Sequence, residues 1–92
     1  VIALKHDDIS SAISQLRQAI QINPHHPQAL YTLAQQLQQS KDPTNLLEAI
    51  SHYETLLEKQ PKFADALVNY ASALLELNKA EDALKILFRV IE

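Results

Sequence analysis

The residues that could do chemistry are four histidines, eleven carboxylates and a handful of serines. A helix-borne metal site needs ligands one turn apart, as in H-E-x-x-H, because that spacing puts both on one face at bonding distance. His25 and His26 are adjacent instead, and His6 and His52 stand far from them. They read as turn and surface residues, so no metal is expected. Glu54 and Glu58 lie four apart and repel mildly, whereas Glu81 and Lys85 have the spacing and orientation of a stabilising surface ion pair. Ser10, Ser11, Ser14, Ser51 and Ser72 are unaccompanied by the glycines of a nucleophile elbow. The chain holds no glycine and no cysteine. Phosphate-cradling loops, thiolate nucleophiles, thiolate metal sites and disulfides are therefore not expected, nor is any catalytic residue or cofactor.

Bulk properties narrow the partners. Net charge is −3, with acids and bases interspersed, the wrong balance for a binder of nucleic-acid backbones. No apolar run approaches the ~20 residues that span a bilayer, so no membrane insertion is expected. The hydrophobic fraction of 47 % suits a folded chain, and the abundance of Ala, Leu, Gln, Glu and Lys favours helices throughout.

Apolar residues spaced three and four apart define the helices. Asp7-Asp8 precede a stripe of Ile9, Ala12, Ile13, Leu16, Ala19 and Ile20, closed by Asn23-Pro24. Pro27 opens a second helix with Leu30, Leu33, Ala34 and Leu37. Asp42 as N-cap and Pro43 in the first turn open a third, carrying Leu46, Leu47, Ile50, Tyr53, Leu56 and Leu57 and ended before Pro61. The fourth, from near Ala64, carries Leu67, Tyr70, Ala71 and Leu74. Asn78 is its candidate left-handed terminator in a chain without glycine. The fifth carries Ala80, Ala83, Leu84, Leu87, Val90 and Ile91.

These helices repeat. Ala12, Ala49 and Ala83 each open an Ala-x-x-x-Leu/Tyr element, 37 and then 34 residues apart, and Pro24 and Pro61 keep the spacing of 37. A period near 34 marks stacked helix pairs. The chain resembles the tetratricopeptide repeat family, whose pattern is W-x2-L-G-x2-Y…A-x3-F…P. The middle unit reads Leu30-x2-Leu33-Ala34-x2-Leu37, Ala49-x3-Tyr53, Pro61; the last reads Leu67-x2-Tyr70-Ala71-x2-Leu74, Ala83-x3-Leu87. The resemblance implies an all-α fold of antiparallel helix-turn-helix pairs stacked as a short right-handed solenoid, in one domain over residues 1–92. Residues 1–24 are the C-terminal part of a truncated repeat, 25–61 a full repeat with a three-residue insertion around Lys41 to Asn45, and 62–92 a repeat lacking its closing residues. A chain without methionine that opens on Val1-Ile2-Ala3-Leu4, the tail of a helix, reads as a piece of a longer protein.

In this family the first helix of each pair lines a concave groove. Beside the core stripes, the groove-facing residues are Gln28, Tyr31, Thr32, Gln35, Gln38 and Gln39 on one helix and Asp65, Val68, Asn69, Ser72, Leu75 and Glu76 on the other. The expected peptide-binding set is Gln28, Tyr31, Thr32, Gln35, Gln39, Asp65, Val68, Asn69 and Ser72. Amides can pair with both N–H and C=O of an extended backbone, and Tyr31 offers an aromatic anchor. A subclass of the family clamps terminal carboxylates with Lys, Arg and Asn; only Asn69 matches, and Asp65 stands where lysine is needed, so that clamp is not expected here.

The expected function is a non-catalytic interaction module that binds an extended peptide or helix from a protein partner. One alternative is a scaffold that self-associates through exposed end helices, with Leu84, Leu87, Phe88 and Ile91 uncovered. The other is an accessory substrate-capture domain of a larger enzyme, such as a glycosyltransferase or sulfotransferase, whose linkers the segment at 23–30 resembles.

Overall fold

Prolines and polar caps set where two of the helices begin. In a computed structural model describing residues 6–91, and the side chains of 10–90, five helices follow one another. They are α1 (His6–Ile22), α2 (Pro27–Gln39), α3 (Pro43–Lys59), α4 (Ala64–Glu76) and α5 (Ala80–Ile91). No strand occurs among the described residues. The reading of Val1-Ile2-Ala3-Leu4 as a helix tail lies outside them.

Asp42 caps α3 as its position before Pro43 predicts: its Oδ1 accepts from the backbone N–H of Thr44 at 2.8 Å and of Asn45 at 3.4 Å. His26 does the same for α2, its Nδ1 accepting from Ala29 N–H at 3.1 Å, with Pro27 in the first turn. The α4 start has no side-chain cap; the Phe63 ring lies against Tyr31 instead, centroids 5.3 Å apart.

Both hairpin links, after α2 and after α4, turn through a left-handed residue, Lys41 and Asn78, each at φ 62°. At Asn78 the geometry is a full Schellman closure: Lys79 N–H donates to Leu74 C=O and Asn78 N–H to Leu75 C=O, both at 2.9 Å. After α2 the link is tied by side chains. Ser40 Oγ donates to Leu37 C=O at 2.7 Å and accepts from Asn45 Nδ2 at 2.9 Å.

Helices adjacent in sequence pack on one another, and α2 also touches α4. Short links make α2–α3 and α4–α5 antiparallel hairpins, and the second stacks on the first. One core cluster joins Leu33, Ala34 and Leu37 of α2 to Leu46, Ala49, Ile50 and Tyr53 of α3 and Ala71 and Leu74 of α4. A second joins Leu30, Leu56, Leu57, Ala66 and Leu67. Ala34, Ala49 and Ala71 are fully buried, and at these positions a small side chain lets helix axes approach closely.

The unequal spacing of the alanines has a local cause. α2 and α4 are both 13 residues long and both links are three residues. Ala49 is the seventh residue of α3, however, and Ala83 the fourth of α5. The extra residues thus form one additional turn at the start of α3.

Three sequence expectations need correction. Leu47 is exposed, not core; residues 37 before and 34 after it are Ser10 and Glu81, which are exposed too. On α5 the inward residues are Ala83, Ile86 and Val90, while Ala80, Leu84 and Leu87 are exposed. Periodicity alone cannot fix which edge of a broad apolar stripe turns inward. The Glu81–Lys85 pair is not closed: the ion pair among the described residues is Arg17–Glu48, with His52 in hydrogen-bond contact with the same carboxylate. An exposed pair gains little against the entropy of two long side chains.

Candidate peptide-binding groove

Where α2 runs beside α4, their polar edges meet over an open cleft of about 270 Å³. Gln35, Gln38 and Gln39 line it from α2, and Asn69, Ser72 and Glu76 from α4, with Lys41 at the end where α2 turns. Three-and-four spacing on each helix supplies the row.

Gln38 is the hub. Its Nε2 donates to Glu76 Oε2 at 2.7 Å and to Ser72 Oγ at 3.3 Å, bridging the two helices. Its Oε1 accepts from the Tyr53 hydroxyl at 2.9 Å. Tyr53 rises from α3 through the core and is fully buried. Burial pushes its hydroxyl well above the ordinary tyrosine value, helped by nearby Tyr31 and Glu76 and opposed by Asn69. The groove floor is therefore anchored to the core by a neutral hydroxyl.

Of the nine residues expected from the sequence, Gln35, Gln39, Asn69 and Ser72 come together in the cleft. Tyr31 lies beneath it, half-buried: its ring packs on Phe63 and its hydroxyl accepts from Asn69 Nδ2 at 3.1 Å. That role is support for Asn69 rather than an exposed aromatic anchor. Gln28 and Thr32 pair with each other, Nε2 to Oγ1 at 3.1 Å, outside the cleft. Asp65 is exposed in the first turn of α4, where the helix dipole favours an acid, and Val68 is exposed one turn on; neither lines the cleft.

Gln38 and Glu76 fall on the groove stripes but outside the expected binding set, and Lys41 lies outside both; all three line the cleft. The offset of 37 from Asn78 was the available signal for Lys41 as a turn residue. No charged cluster accumulates here. Among the described residues no group of three His, Asp or Glu side chains converges as a metal site, and no helix is long and apolar enough to cross a membrane.

The strongest electrostatic contact lies on another face. Arg17 of α1 forks onto Glu48 of α3, Nη2 to Oε1 at 2.6 Å and Nε to Oε2 at 3.2 Å, and His52 Nε2 meets Glu48 Oε2 at 3.1 Å. Burial alone would raise the Glu48 pKa. Hydrogen bonds from Arg17 and His52, and the Arg17 charge, outweigh it and hold the carboxyl below its usual range. Between α4 and α3, Tyr70 donates to Glu54 Oε2 at 2.8 Å, and burial with that carboxylate pushes the Tyr70 hydroxyl up to about 12.

A sequence model of the tetratricopeptide repeat matches residues 44–92, covering α3, the α3–α4 link, α4 and α5. No curated protein matches the chain. Tetratricopeptide repeats generally mediate protein–protein interaction and are typically non-catalytic. With more than half of its residues matched, and with antiparallel helical hairpins stacked so that the first helix of one touches the first helix of the next, the chain belongs to the tetratricopeptide repeat family.

Proposed function

We propose that the chain is a non-catalytic interaction module that binds an extended segment of a protein partner in the α2–α4 groove. The observation that carries this is the amide-lined cleft: Gln35, Gln39 and Asn69 face open space while Gln38 is held rigid beneath them. Amides presented on fixed helices pair with an extended backbone with low entropy loss. Glu76 and Lys41 at the cleft's end offer one acceptor and one cation for polar side chains of the ligand.

The test is selection of linear peptides from a displayed library against the chain, followed by affinity measurement on a Gln35→Ala/Gln39→Ala/Ser72→Ala variant. Tyr31 is left intact because it packs on Phe63. Binding weakened by about tenfold in the variant, with the circular dichroism spectrum unchanged, supports the groove. Unchanged affinity refutes it. A second reading, the scaffold built on end helices, is favoured by one observation: Leu84, Leu87 and Phe88 of α5 stand exposed.

A further inference from the structure

The amide cleft has polar walls, so it can grip an extended backbone but offers little to tell one side chain from another. At the end where α2 turns, it opens into a second cavity of about 190 Å³, with which it shares Gln38, Lys41 and Glu76. Here the lining changes. Pro43 and Leu46 of α3 supply apolar surface, and Asp42 adds a second carboxylate beside Glu76.

This side pocket is built by the departure from the regular period. α5 begins at Ala80, three residues before Ala83, and the residue three before Ala49 is Leu46. Everything that α3 places ahead of Leu46 is the additional turn, and that turn brings Pro43 and its cap Asp42 to the pocket. The inserted residues thus give the cleft a wall that has no counterpart at the start of α5.

The charges of the pocket select its occupant. Glu76 Oε2 accepts from Gln38 at 2.7 Å, and Asp42 Oδ1 accepts from the backbone N–H groups of Thr44 and Asn45, so both carboxylates are held in place. Neither is paired with a described Lys, Arg or His side chain. Lys41 offsets one of the two charges, and one negative charge remains in excess. An apolar side chain would strip water from the carboxylates and replace none of its hydrogen bonds. An acidic one would meet two like charges. A long side chain with a cationic head fits both parts: its methylenes lie on Pro43 and Leu46, and its head reaches Glu76.

We propose that the peptide held in the α2–α4 groove carries an arginine or lysine whose side chain fills this pocket. The proposal rests on the groove reading above and adds the class of ligand, a backbone gripped by amides with a basic residue at the Lys41 end.

The displayed peptide library is the probe. Peptides whose binding falls in the Gln35→Ala/Gln39→Ala/Ser72→Ala variant should share a basic residue at one fixed position. Synthetic copies then keep that residue or carry norleucine or glutamate in its place. Norleucine should weaken binding about fivefold, the scale of an exposed ion pair, and glutamate should weaken it further. In the chain, Glu76→Gln/Asp42→Asn should abolish the preference for the basic peptide over the norleucine one. These substitutions remove charge but keep an acceptor oxygen for Gln38 and for the α3 cap. Lys41→Gln removes the like charge and should strengthen binding of the basic peptide. Groove-dependent peptides that share no basic residue, a preference unmoved by Glu76→Gln/Asp42→Asn, or a basic peptide weakened by Lys41→Gln overturns the pocket and leaves the groove standing. Selection of no peptide, or of peptides indifferent to the groove variant, overturns the groove reading and the pocket with it.

Discussion

Tyr53 joins the core to the groove floor, so its two roles should separate under substitution. Its side chain is wholly buried, its ring lies 6.4 Å from that of Tyr70, and its hydroxyl donates to Gln38 Oε1 at 2.9 Å. Tyr53→Phe removes only the hydroxyl. Gln38 borders the open cleft, so water can replace the lost donor, and the expected loss is about 1 kcal/mol. Tyr53→Ala also removes the ring and leaves a cavity among Leu37, Ile50 and Leu74, for which about 3–5 kcal/mol is expected. Domains of this size are stable by roughly 5–15 kcal/mol, so the alanine variant should lose a large share of its stability. Urea unfolding followed by far-UV circular dichroism gives both values. A double-mutant cycle with Gln38→Ala should show coupling of about 0.5–1 kcal/mol. If Tyr53→Phe is as damaging as Tyr53→Ala, packing is not what the residue contributes. If the cycle shows no coupling, the hydroxyl does not hold Gln38.

Lys41 occupies a left-handed conformation at φ 62°, so Lys41→Gly should stabilise the chain by about 1 kcal/mol and raise Tm by about 4–8 °C in calorimetry. His26→Ala removes the α2 cap and should cost about 1 kcal/mol in the same assay. Alkaline stability should be governed by two tyrosines whose folded pKa values lie above the ordinary 10.0, Tyr70 at about 12. The folded chain keeps protons there that the unfolded chain releases, so stability holds below pH 10 and falls as pH rises from 10 toward about 12; Tyr70→Phe should flatten that fall. Glu48 acts in the opposite sense. Its lowered pKa means that stability is present above 4.5, its ordinary value, and is lost as pH falls below it; Arg17→Ala should shrink this acid dependence in denaturation series run from pH 7 to 3.

Helix boundaries were legible because prolines and caps act locally. Pro24, Pro43 and Pro61 mark where backbone donors are missing, and Asp42 and Asn78 belong to residue types that stabilise one specific backbone geometry. The core of α2 was legible for a related reason: Leu30, Leu33, Ala34 and Leu37 form a narrow stripe that can face only one way. Broad stripes were not. Leu46 and Leu47 are equally apolar neighbours, and only packing against α2 and α4 turns the first inward. The groove was half legible because its row of amides follows helical spacing. Which of them meet depends on where α2 and α4 approach, and this brings Gln35, Gln39, Asn69 and Ser72 together near one end while Gln28 and Asp65 stand apart. The Arg17–Glu48 fork joins residues 31 apart in sequence across two helices, and no local pattern announces it.

The chain-order packing of the helices has a kinetic consequence. Each packs on its sequence neighbours, links are three or four residues long, and among the described residues the backbones of α2 and α4 are the one pair that meet while skipping a helix, beside the Arg17–Glu48 side-chain bridge from α1 to α3. Such low contact order places folding in the microsecond-to-millisecond range, and nearest-neighbour stabilisation lets an end loosen while the middle stays folded. Opening should begin at α1 and α5, whose backbones each pack on a single described neighbour, and reach α3 last. Amide hydrogen exchange would then be graded along the chain, slowest around Tyr53.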